Sequence, residues 1–116
     1  MEIIERRIND RNRIMKEVSE FSKNLQFKST VLLIGSYARG DFNLWSDIDL
    51  LIVGDFKGNT LERLKSMDFP PGYEIIMLTP EEVNRMQMKN NKFIKDAITE
   101  GVVLRDDFSI SLKGVD

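Results

Sequence analysis

Through the first 26 residues, apolar side chains recur three and four positions apart: Ile4, Ile8, Ile14, Met15, Val18, Phe21 and Leu25. That spacing lines them up along one helix face, and it predicts a long opening helix over 2–26. Ser29-Thr30 punctuate it. Val31-Leu32-Leu33-Ile34 then runs into Gly35, the pattern of a buried strand that leaves into a tight turn. A brief helical turn, Tyr37-Ala38-Arg39, stops at Gly40. Residues 47–53 read Asp-Ile-Asp-Leu-Leu-Ile-Val before Gly54, and the near-continuous apolar second half calls for cover on both faces, hence a central strand.

The second half of the chain alternates in the same way. Residues 59–68 suit a short helix, Pro70-Pro71-Gly72 breaks the chain, and 73–78 (Tyr-Glu-Ile-Ile-Met-Leu) form a third strand. Thr79 is placed as an N-cap, with Pro80 at the first helical position and Glu81 and Glu82 in the first turn. Further helix is expected to about Glu100, with Gly101 as its stop, and Val102-Val103-Leu104 is a last short strand before a polar tail expected to fray. The order α-β-α-β-α-β-α-α-β indicates an α/β sheet layered with helices.

Composition narrows the chemistry. Among 116 residues, 41% are apolar and 31% charged, an ordinary globular balance, and one domain over 1–116 is expected. No apolar run approaches the roughly 18 residues that cross a bilayer, and the N-terminus is charged where a signal peptide is apolar, so a cytoplasmic protein without a membrane segment is expected. The sequence has no Cys and no His. Disulfides, thiolate nucleophiles, Ser-His-Asp triads and the usual zinc sites are thereby excluded. Catalysis has to run on carboxylates, hydroxyls, Lys, Arg and backbone. The net charge of −2, with Lys and Arg spread along the chain, disfavours a nucleic-acid substrate.

One constellation carries chemistry. Gly35-Ser36 follows a strand: the missing Cβ of Gly35 lets a phosphate approach the backbone, and Ser36 offers a hydroxyl at a helix start, so the pair is a seat for an anion. Asp47 and Asp49 stand two apart at the start of the next strand and project to one side. Two carboxylates about 4 Å apart repel by roughly 4 kcal/mol at an effective dielectric of 20, so their pairing asks for a cation. Hard oxygen donors favour Mg²⁺, which completes its shell with water and substrate phosphates. Glu74, the only charged residue on the third strand, is the candidate for a further metal ligand or for the base that takes an acceptor's proton.

The stretch from Gly35 to Val53 joins Gly-Ser, Ala-Arg-Gly and Ser-Asp-Ile-Asp-Leu, and with the acid-bearing strand and Glu-Gly-Val-Val-Leu at 100–104 it resembles the DNA polymerase beta-like nucleotidyltransferase superfamily, in its minimal nucleotidyltransferase branch. The resemblance covers roughly 30–105, the expected catalytic core, with 1–28 as an N-terminal helix. It implies a polymerase beta palm-like fold with a mixed sheet of about four strands. It also implies ATP or another nucleoside triphosphate as substrate, two Mg²⁺, and a carboxylate set of Asp47, Asp49 and Glu74 serving as catalytic residues and metal ligands. Glu74 stands where the family usually has Asp. Other members add a domain to hold the acceptor, for which 116 residues leave no room, so a partner chain or a homodimer is expected to complete the site. Minimal members are similar to antitoxins whose partner is a helical HEPN ribonuclease toxin, some of which adenylylate a Tyr on that toxin.

Plainer readings stand beside these. Gly35, Ser36, Arg39 and Ser46 are the nucleotide-binding candidates, but Arg39 is equally suited to pair with Asp41, and Ser46 to serve as a turn residue. Trp45 and Tyr37 are placed to stack on a base, although aromatics beside loops usually pack. A binding module that masks a toxin, or transfer to an aminoglycoside-like small molecule, are the rival functions.

Overall fold

The structure, a computed structural model, describes residues 3–43 and 45–110. The side chains of Ile3, Ile4 and Arg7 lie outside that description, and with them the expected place of Ile4 on the first helix's apolar stripe.

Five helices and four strands follow one another among the described residues: α1 (Ile3–Lys23), β1 (Thr30–Ile34), α2 (Gly35–Arg39), β2 (Ile48–Val53), α3 (Thr60–Lys65), β3 (Tyr73–Leu78), α4 (Pro80–Met88), α5 (Lys92–Glu100) and β4 (Val102–Asp106). The strands form one sheet in the order β3-β2-β1-β4. β1 is antiparallel to both β2 and β4, whereas β2 and β3 run parallel, so the sheet is mixed. The parallel pair is joined through α3, as a crossover requires. All of β1 is buried, as is β2 apart from Asp49, which is half-buried; the two apolar runs are the central strands.

Strand alternation sends Leu32, Ile34, Leu51 and Val53 to the face covered by α4 and α5, where Val83, Ile94 and Ala97 are buried. Leu33 and Leu50 go to the opposite face, under Ile14 and Val18 of α1. Each such side chain, fully buried, contributes about 1.5–3 kcal/mol, which makes the two central strands a stiff platform. Ile8, expected on the buried stripe, is 54% exposed. A helix of 21 residues is about 32 Å long while a strand of six covers about 20 Å, so α1 outruns the sheet at its N-terminal end.

The remaining helices are delimited by their caps. The side chain of Thr79 accepts from the Glu82 N–H and the Glu82 carboxylate accepts from the Thr79 N–H, closing a capping box with Pro80 inside it. Asn59 and Glu62 repeat the device on α3. Residues 89–91 separate α4 from α5, and Asn91 caps the latter through the Ile94 N–H. The segment after Leu104 does not fray where it is described. β4 continues to Asp106, Asp106 accepts from Thr30 Oγ1 and from the Ile110 N–H, and Ile110 is 4% exposed. The Arg105 guanidinium donates to the carbonyls of Ser22, Leu25 and Phe27, tying β4 to the end of α1. Polar character misled here because these polar groups are internal partners. No described helix is long and apolar enough to cross a membrane.

Candidate active site

β1 leaves the sheet at the same end where β2 and β3 enter it. At that end the chain turns at Gly35, with φ +72°, directly into α2, and Gly40 closes α2 in the left-handed region with its N–H donating to the Ser36 carbonyl. Ile34 supplies no side-chain cap to α2. A β-carbon at position 35 would collide with Asp49 Oδ2, so only glycine lets the backbone turn lie against that carboxylate. Arg11, which the sequence pattern did not single out, donates from Nε and Nη2 to the carbonyls of Tyr37 and Ala38, 3.1 and 3.3 Å away, and so fixes the far end of α2.

Asp49 and Glu74 are partners in register across the parallel β2–β3 pair, and Ile34 is the partner of Asp49 across β1–β2. The Asp49 carboxyl is pushed up to about 6 from an ordinary 3.8 by its burial, then by the charge of Glu74 and a hydrogen bond with it, and then by the charge of Asp47. Arg39 opposes that shift. Asp47 is exposed and lies one residue ahead of β2, and Glu74 is exposed on β3. The expected three-acid set therefore has Asp49 and Glu74 in register, with Asp47 acting on Asp49 through charge; among the described residues no three acids are already gathered as a metal cluster.

The pair opens onto a cleft of about 280 Å³. Gly35, Arg39, Asp49 and Glu74 line it, and the opposite wall is α5, through Phe93, Asp96, Ala97 and Glu100. Those last residues escaped the sequence reading, although their spacing of three, four and seven marks one helix face. Arg39 donates to Asp41 at 3.1 Å and lies 3.7 Å from Glu100, so the plainer pairing expected for it is present and a second acid joins it. Ser46 serves the turn: its hydroxyl accepts from the Asn43 N–H at 2.9 Å. Tyr37 stacks on Phe42 with centroids 4.2 Å apart and does not line the cleft, whereas Trp45 is 86% exposed.

Residues 11–113 match the model of the nucleotidyltransferase domain family. The chain belongs to that family. Nucleotidyl transfer is the reaction that names the family. The nucleotidyltransferase is also similar to a protein of Methanocaldococcus jannaschii named as a putative protein adenylyltransferase, with 49% identity over 45 residues; the match covers 34% of this chain and 45% of that protein. A crystal structure of a putative nucleotidyltransferase from Sulfolobus solfataricus is similar at a TM-score of 0.53 and 26% identity, over 86% of this chain and 83% of the other. That likeness agrees with the mixed four-strand sheet layered with helices and with the polymerase beta-like fold.

Proposed function

We propose that this nucleotidyltransferase moves the adenylyl group of ATP onto a hydroxyl of a protein partner. The observation that carries the reading is the pairing of Asp49 with Glu74 in register beside the Gly35 turn, at the mouth of a cleft that also holds Arg39. Asp49, whose carboxyl is held above its ordinary range, stands in register with Glu74 and feels the charge of Asp47, and the three form a donor set of hard oxygens that suits Mg²⁺. Asp47, Asp49 and Glu74 would hold it, and bound Mg²⁺ supplies charge neutralisation for the triphosphate. The other steps belong to the chain. Gly35 and Ser36 seat phosphate oxygens on free N–H groups at the start of α2, and Arg39 turns from Asp41 to a phosphate. Ser46 holds the turn that delivers Asp47. The acceptor oxygen forms its bond to the α-phosphorus in line with the bridging oxygen that departs in pyrophosphate, and the hydroxyl proton passes to Glu74.

Adenylyl as the group and protein as the acceptor are supported by the name of the archaeal relative. A helical HEPN-type toxin as the partner is supported by the resemblance of the Gly35–Val53 motif to antitoxins of that kind. A cytoplasmic setting, where ATP and Mg²⁺ are supplied, goes with the reading. The test is intact-protein mass spectrometry of a co-purified partner incubated with the chain, Mg²⁺ and ATP. One or more AMP units on the partner are expected, and none with Asp47→Asn or Asp49→Asn, both of which should fold. A partner that is bound and silenced yet unmodified would make the chain a masking module.

A further inference from the structure

The cleft has two chemically different ends, and the family's phosphate and metal motif accounts for only one. Glu100 lies 3.7 Å from Arg39, which anchors the C-terminal end of α5 beside the phosphate seat. Going back along the same helix face, Asp96 comes one turn away and Phe93 two turns away, about 10 Å from Glu100 at 1.5 Å per residue. That is close to the span between the β-phosphate and the base of an extended nucleotide. At this far end the polar lining gives way to Phe93 facing the cleft with Ile76, the residue two beyond Glu74 on β3. Phe93 is half-buried, so part of its surface packs on the core and part stays open to the cleft.

We propose that Phe93 and Asp96 on α5 form the nucleobase subsite, Phe93 stacking on a purine and Asp96 accepting a hydrogen bond from its exocyclic amine. The inference rests on the nucleotidyltransferase reading of the Gly35–Asp49–Glu74 end. Stacking on an aromatic face suits any base, so the discrimination falls to Asp96. An ionised carboxylate only accepts hydrogen bonds, and it therefore favours a base edge that presents N–H and disfavours one that presents a carbonyl. Lys92 holds Asp96 Oδ2 at 2.9 Å. This ion pair offsets the negative charge that would repel a nearby triphosphate, and the carboxylate keeps lone pairs for a further donor.

Calorimetric titration with Mg²⁺ present, using ATP, inosine triphosphate and inorganic tripolyphosphate, tests the proposal. Phe93→Leu keeps the apolar packing on the core while removing the aromatic face, and should weaken ATP about tenfold with tripolyphosphate unchanged. Asp96→Ala should erase a preference of the wild type for ATP over inosine triphosphate, which carries a carbonyl in place of the amine. Equal weakening of ATP and tripolyphosphate by Phe93→Leu, or no weakening of either, overturns the subsite. So does a wild type that binds ATP and inosine triphosphate alike. If the wild type binds neither ATP nor tripolyphosphate, the phosphate seat itself is wrong and the subsite falls with it.

Discussion

Asp49 and Glu74 stand opposite one another on parallel neighbouring strands, and the charge of Glu74 adds to burial in raising the Asp49 carboxyl. Parallel pairing brings residues of two distant segments to the same level of the sheet, and strand alternation turns both to the side of α5. The pair is thus held by the platform of β1 and β2, whose residues around Asp49 are buried.

This pairing predicts a pH signature in the metal-free protein. Asp49 binds its proton more tightly when folded, at about 6 against an ordinary 3.8. Its contribution to stability is therefore fully present below about pH 4 and is lost as the pH rises through about 6. Asp49→Asn cannot ionise, so its melting temperature relative to wild type should climb between pH 4 and 6 and level off above. Melts in a chelator across pH 4 to 7.5 check this; a constant difference over that range would mean that neither burial nor the neighbouring acids raise the Asp49 carboxyl. Transfer activity should move the opposite way in the wild type and increase with pH through the same window, because a metal ligand has to ionise.

Gly35→Ala and Gly40→Ala should separate strain from collision. Both glycines have positive φ, +72° and +89°, but only at position 35 does a β-carbon meet another group, Asp49 Oδ2. Left-handed backbone costs a non-glycine residue about 1–2 kcal/mol at either place. Gly35→Ala should lose more than this and should abolish transfer, whereas Gly40→Ala should keep most of its activity. Chemical denaturation and a labelled-ATP assay on the two variants give the comparison.

Thr79→Ala removes the cap of α4 on the far side of the domain from the cleft motif. Glu82 would lose the Thr79 hydroxyl bond to its N–H but keep Arg63, whose Nη1 is 2.7 Å from its carboxylate. A loss of about 1 kcal/mol is expected, which lowers the melting temperature by about 4 °C. Nucleotide binding by calorimetry should be unchanged. A weakened affinity would mean that α4 transmits to the site.

The sequence by itself determined most of the elements and singled out the residues at one end of the cleft. Periodicity located the long helix and the strands, because a run such as Val31–Ile34 or 50–53 can satisfy its apolar side chains only inside a sheet, and Thr79-Pro80 with Glu82 is a local device that works without tertiary help. Gly35-Ser36 and Asp47-Ile48-Asp49 were legible for the same reason, their geometry being set within a few residues. Tertiary structure decided what separate segments do to one another. Only packing buried the Asp49 carboxyl, and only the parallel register set Glu74 beside it, which together raised its pKa. Only the crossing of α5 over the sheet set Phe93, Asp96 and Glu100 against the motif, and only the end of α1 gave Arg105 its carbonyl partners. Those contacts join residues far apart in the chain, and no local spacing encodes them, because they arise when packing brings their elements together.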